Sequence, residues 1–145
     1  MKKATILIVD DDQDLLTAVR ILLRPKVKQV IVEKNPEHLM NILSREAVDV
    51  VLLDMNFKSA INTGNEGLFW LGKIKAAYPH IKVVMITAYG AVDLAVRSLK
   101  QGASDFIVKP WQNDLLLQTL STVFDEIKAS GETKPLTNRS KDEID

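Results

Sequence analysis

The strongest constraint in this sequence is a set of short, largely continuous apolar runs, mostly rich in β-branched residues, with helical patterns between them. The runs are Ile6-Leu7-Ile8-Val9, Val30-Ile31-Val32, Val48 to Leu53, Val83-Val84-Met85-Ile86 and Phe106-Ile107-Val108. A strand with one wet face alternates apolar and polar residues, whereas a strand covered on both faces has no reason to alternate. The runs therefore predict strands of a parallel sheet. The stretches between them carry apolar residues at helical spacing: Leu15, Val19, Leu22 and Leu23; Leu39, Ile42 and Leu43 after the cap signal Asn35-Pro36; Leu68, Leu71, Ile74 and Tyr78. A fourth stripe, Val92, Ala95, Val96 and Leu99, ends at the stop signal Gly102. A fifth, Leu116, Leu120, Val123, Phe124 and Ile127, follows Asn113 or Asp114 as cap. Strand–helix repeated five times predicts an α/β fold, a doubly wound five-stranded parallel sheet of order 2-1-3-4-5 with five helices.

The 145 residues suit one domain, and 46% apolar content is enough for one sizeable core. Residues 1–129 are expected to form that domain. From Ser130 the pattern fails, so 130–145 reads as a linker or tail toward a further element. Nineteen basic and nineteen acidic residues cancel, so nothing predicts direct nucleic-acid binding. The absence of cysteine excludes disulfides, cysteine–zinc sites and thiol catalysis, and two histidines are too few for a histidine-rich metal site. No apolar run approaches the ~20 residues that span a membrane, and Met1-Lys2-Lys3 leads into Asp10 too soon for a secretory signal. A soluble cytoplasmic domain is expected.

In an open parallel sheet, reactive groups gather beyond the carboxyl ends of the strands. The first strand delivers Asp10, Asp11 and Asp12 there, the third Asp54, the fourth Thr87 and Ala88, and the fifth Lys109 and Pro110. Clustered carboxylates must protonate, pair with a cation or bind metal. All-oxygen ligation suits a hard ion such as Mg²⁺. Carboxylates, a divalent metal, a lysine and a hydroxyl can together receive a phosphoryl group, with Asp54 as nucleophile forming an acyl phosphate. Each residue alone has a plainer reading. Asp12 or Asp14 suits a helix cap, Thr87 a strand-end hydroxyl and Lys109-Pro110 a turn. Trp70 and Trp111 suit packing, and His38 and His80 receive no role. Their joint occurrence at four strand ends in the right order favours the chemical reading.

These residues lie in segments that resemble the receiver domain of two-component response regulators: ILIVDDD (6–12), DVVLLD (49–54), VVMITAYG (83–90) and GASDFIVKP (102–110). The resemblance covers residues 4 to about 128. It implies the flavodoxin-like (CheY-like) form of the fold and a phosphorylation-dependent switch rather than an enzyme. Asp54 would be the phosphoacceptor. Asp10, Asp11, Asp54 and the backbone carbonyl of Asn56 would hold Mg²⁺, with Asp11 a direct ligand and Asp10 acting largely through water. Thr87 would be the switch hydroxyl, Phe106 the switch aromatic and Lys109 the phosphate-binding lysine, with a cis Lys109–Pro110 bond. The partner implied is a sensor histidine kinase. A homodimer contact is implied on the fourth helix (Ala91 to Gln101), the fifth strand and the fifth helix (Asp114 to Ile127). The run from Thr87 to Trp111 resembles regulators of the nitrogen-regulator type, which activate sigma-54 RNA polymerase. Their output ATPase and DNA-binding domains are not in this sequence, which lacks a Walker motif.

The sequence departs from the family in the loop after Asp54. The family glycine stands eight positions after the phosphoacceptor; if Gly67 is its equivalent, about five residues are inserted, and Phe57-Lys58 replaces methionine-proline. Phe57 to Glu66 is expected to be a mobile surface loop, pinned in part by Phe57 and Ile61. Two other functions compete. A Mg²⁺-dependent phosphohydrolase would want an acid two positions after its nucleophile, where Asn56 stands. A degenerate receiver that only binds protein is opposed by the intact set Asp10, Asp11, Asp54, Thr87 and Lys109. A dinucleotide-binding module would carry GxGxxG after the first strand, and this sequence has none there.

Overall fold

The computed structural model describes residues 1–57 and 65–130. The strands are β1 (Thr5–Val9), β2 (Gln29–Glu33), β3 (Val50–Asp54), β4 (Lys82–Ala88) and β5 (Asp105–Lys109). The helices are α1 (Gln13–Leu23), α2 (Leu39–Arg45), α3 (Asn65–Ala77), α4 (Val92–Lys100) and α5 (Asn113–Ser130). The strands pair in parallel in the order β2-β1-β3-β4-β5, as the sequence predicts. The expected tail lies outside the described residues apart from its first residue, Ser130, which still belongs to α5. None of the described helices is long and apolar enough to cross a membrane.

Alternate residues of a strand point to opposite faces, so each central strand feeds two cores. Ile6, Ile8, Leu52 and Ile86 pack against Leu16, Val19 and Leu23 of α1 and Leu116, Leu120 and Val123 of α5. Leu7, Val9, Leu53 and Met85 pack against Leu39, Ile42 and Leu43 of α2 and Leu68, Leu71 and Ile74 of α3. All of β1 and β3 is buried, because both strands lie inside the sheet under two helical layers. The expectation of full burial fails for β2. It is an edge strand, and Val30, Ile31 and Val32 are only half-buried.

Local signals set the helix ends. The Asp12 carboxylate accepts from the backbone N–H of Asp14 at 3.0 Å and of Leu15 at 3.3 Å, capping α1. Asn35 caps as expected, but it starts a 3-10 turn, Pro36–His38, before α2 proper. The fifth helix corrects another expectation: Asn113 is already helical, and the Gln112 carbonyl accepts from Leu115 and Leu116, so Gln112 stands at the cap position. In α4 the apolar stripe is not a core stripe. Ala95 and Ser98 are buried, while Val92, Val96 and Leu99 are exposed. The sheet covers only a narrow strip of this helix, and Ser98 is tolerated inside because its hydroxyl donates to the Ala95 carbonyl at 2.7 Å.

Candidate functional site

Asp10 follows β1, Asp54 ends β3 and Lys109 ends β5, so the topology brings together residues 99 positions apart in the chain. Carboxylate oxygens of Asp10, Asp11 and Asp54 all lie within 4.8 Å of one another. Asp10 is fully buried and Asp54 nearly so. One Asp10 oxygen, Oδ1, accepts from the Asp12 N–H at 2.9 Å. The other, Oδ2, stands 2.9 Å from Lys109 Nζ in an ion pair. Lys109 Nζ is farther from Asp54, 3.5 Å from Oδ1, and the Asn56 N–H reaches the same oxygen at 3.4 Å. In this state the lysine belongs first to Asp10.

Burial dominates the electrostatics. Desolvation, reinforced by the neighbouring Asp10 charge, pushes the Asp54 carboxyl up to about 7 despite Lys109. Desolvation also raises Asp10, partly offset by the Asp12 N–H and by Lys109. For Lys109, desolvation favours the neutral amine, but its bond to Asp10 and the charges of Asp54 and Asp10 outweigh that and raise it. Two buried carboxyls that resist ionisation, with a third carboxylate within 4.8 Å, suit a hard cation coordinated by oxygen.

Thr87 lies one residue beyond Ile86, the register partner of Asp54. It is buried, and its hydroxyl has no hydrogen-bond partner among the described residues. Thr87, Ala91, Ala95 and Phe106 are among the residues lining a cavity of about 30 Å³. Phe106 itself is half-buried against the α2–α3 core. The Lys109–Pro110 bond is cis, as the resemblance implied.

The loop after Asp54 is described as far as Phe57 and again from Asn65; the expectation of a mobile loop falls on 58–64, outside the described residues. Phe57 is 1% exposed, so it is a core residue. Gly67 donates its N–H to the Met55 carbonyl at 3.0 Å, and a Cβ on it would lie 2.6 Å from the Met55 Cα and oxygen. The chain needs glycine here to approach β3 this closely, which supports the assignment of Gly67 as the displaced loop glycine. Glu66 is not part of the three-carboxylate group.

One feature was not read from the sequence. An apolar hollow of about 500 Å³ adjoins the acidic pocket between α1 and the start of α5, with Leu15, Ala18, Pro110, Trp111 and Lys109 among its lining. Leu15 gave only a helix-stripe signal and Trp111 only a packing signal, and Ala18 gave none.

A five-stranded 2-1-3-4-5 sheet with an acidic pocket and a lysine at its carboxyl end defines a class of doubly wound α/β domain, and comparison with known proteins gives the family. Residues 6–121 match the response regulator receiver domain, and the chain belongs to that family. It is 36% identical over 118 residues to the response regulator protein FleR of Pseudomonas aeruginosa, covering 81% of this chain and 24% of FleR. It is 30% identical over all 145 residues to a putative NtrX-like response regulator of Rickettsia bellii, covering 30% of that protein. The chain thus spans less than a third of these curated relatives. Among solved structures, the N-terminal receiver domain of a Bacteroides fragilis response regulator is 50% identical, with a TM-score of 0.77 over 85% of this chain and 98% of that one. NtrX from Brucella abortus is 27% identical, with a TM-score of 0.81 over 97% of this chain and 31% of that one.

Proposed function

We propose that this chain is a phosphorylation switch that takes a phosphoryl group on Asp54 from a sensor histidine kinase in the cytoplasm and relays that state to an output domain. The observation that carries this is a buried carboxylate at a strand end, with Lys109 and two further carboxylates turned toward it. Both described contacts of Asp54 fall on Oδ1, which leaves Oδ2 to attack phosphorus. The new O–P bond forms as the N–P bond of the donor phosphohistidine breaks, and the imidazole leaves with the electron pair. Asp10, Asp11, Asp54 and the Asn56 carbonyl would hold Mg²⁺, which supplies charge neutralisation for the transferring group. Lys109 moves its principal contact from Asp10 to the phosphoryl oxygens. The apolar hollow beside Lys109 gives the kinase a place to seat side chains without covering Asp54. A regulatory role fits better than hydrolytic turnover, because Asn56 presents an amide and not an acid beside the acyl phosphate.

Output begins at Thr87. Its unsatisfied hydroxyl is drawn to the phosphoryl group, which adds charge and acceptor oxygens. The 30 Å³ cavity behind it is far smaller than the ~150 Å³ that accepts benzene. Phe106 therefore turns inward only if the Tyr89–Ala91 segment also moves, and Gly90, at φ +90°, gives that segment its freedom. The movement reshapes a face where Tyr89, Val92, Val96 and Leu99 are exposed. That face, with β5 and α5, is the proposed homodimer contact. By likeness to the NtrX-like and PilR regulators, the output in a longer protein is sigma-54-dependent transcription through ATPase and DNA-binding domains. The test is intact mass after treatment with acetyl phosphate and Mg²⁺. Wild type should gain one phosphoryl group and Asp54→Asn none; an equal gain in both overturns the assignment.

A further inference from the structure

The opposite end of the molecule carries a second charged site that the switch does not use. Arg20 and Arg24, at the end of α1, and Lys28, just before β2, line a cleft of about 410 Å³ with Gln29 and Val30. All three cations are exposed, and none makes an ion pair or side-chain hydrogen bond among the described residues. The chain as a whole is neutral, yet residues 20–34 hold five lysines and arginines against the single acid Glu33. Complementing the negative end of α1 accounts for Arg20 and Arg24. It does not account for Lys28, which lies beyond the helix, or for the convergence of all three on one concavity.

We propose that this cleft binds a short phosphoanhydride chain, two or more linked phosphates. Two guanidinium forks and an ammonium around one cleft match tetrahedral oxyanions, which guanidinium groups grip in pairs. Adjacent phosphates use all three cations at once, where a lone carboxylate or a single phosphate uses one or two. The volume lies within the range of small-ligand sites. No aromatic side chain lines the cleft, so nothing there stacks on a base. The chemistry recognised is the phosphate chain, whether free or as the tail of a nucleotide. The cleft lies at the amino end of the sheet and Asp54 at the carboxyl end, so the proposal does not depend on the switch reading.

The experiment is calorimetric titration of the protein with sodium tripolyphosphate and, separately, with ATP, both in EDTA so that the carboxylate pocket holds no metal and repels anions. Saturable one-to-one binding is expected, weakening steeply with salt. Arg24→Gln and Lys28→Gln should each lose about tenfold in affinity, and Arg20→Gln/Arg24→Gln should abolish binding. Control Lys100→Gln, on α4, should bind as wild type. ATP binding within about threefold of tripolyphosphate marks the phosphate tail as the whole determinant; ATP binding far tighter, or not at all, fixes the source as nucleotide or as free polyphosphate. All the variants should accept a phosphoryl group at Asp54 at the wild-type rate, so failure here leaves the switch reading intact. No saturable binding, or equal loss in Lys100→Gln, overturns the proposal. So does a glutamate-rich peptide that binds through Arg20 and Arg24 when tripolyphosphate does not, because the cleft would then be a protein-docking surface.

Discussion

Replacing Asp54 by asparagine should stabilise the metal-free protein, and by an amount that grows with pH. The neutral Asp54 carboxyl is the form this pocket prefers, since burial and the Asp10 charge lift it from 3.8 to about 7. Because the folded value lies above the unfolded one, its contribution is fully present below about pH 4 and drains away as pH rises through about 7. That displacement corresponds to roughly 4 kcal/mol at about 1.36 kcal/mol per pH unit. Asparagine has the same shape, still accepts from the Asn56 N–H and never ionises. It loses only the 3.5 Å attraction to Lys109, which keeps Asp10 at 2.9 Å. The expected gain is therefore about 2–4 kcal/mol near pH 8, with a rise in Tm on the order of 10 °C. The gap between variant and wild type should widen by roughly 2–3 kcal/mol from about pH 5 to pH 8. Urea unfolding in EDTA at several pH values measures this, with similar m-values for the two proteins. A gap that stays flat, or narrows as pH rises, refutes the account of Asp54 as a strained buried charge.

Asp11→Ala should weaken Mg²⁺ binding and slow phosphorylation at ordinary metal levels, because one of three carboxylates within 4.8 Å is removed; magnesium titration followed by tryptophan fluorescence checks it, and unchanged affinity would mean a different ligand set. Gly67→Ala should destabilise by about 3 kcal/mol and slow phosphorylation, since its Cβ meets the Met55 backbone at 2.6 Å; thermal melts and acetyl phosphate kinetics read both effects, and a neutral outcome would show that α3 can back away from β3. Thr87→Ala should still accept the phoshoryl group yet lose most of the beryllofluoride-induced shift toward dimer in sedimentation; a full shift would break the proposed route from pocket to face.

The pocket was legible because it needs only strand ends and strand order. Asp10, Asp54, Thr87 and Lys109 each close or follow an apolar run, and the 2-1-3-4-5 order places those ends together. What a periodic stripe cannot express is whether anything covers it. Val92, Val96 and Leu99 repeat as faithfully as Leu116, Leu120 and Val123, yet the first set faces outward and the second is core. Edge strands hide in the same way, since Val30-Ile31-Val32 reads like an interior run. The preference of Lys109 for Asp10 over Asp54 was out of reach, because it rests on a difference of about half an ångström between two contacts. Phe57 reads in the sequence as a pin for a surface loop; its burial comes from packing into the core under α2 and α3, which local pattern does not encode.

Lys109 has one further consequence. When all three carboxylates are ionised they face a single ammonium, so the pocket is then two positive charges short. One divalent cation makes up that deficit, but a phosphoryl group arriving without one deepens it. Metal alone brings the ionised pocket to neutrality, and transfer of a phosphoryl group to Asp54 then leaves one net negative charge where without metal it would leave three. Under the proposed switch, transfer to Asp54 would therefore depend on metal being present, a condition set by the single lysine shared between Asp10 and Asp54.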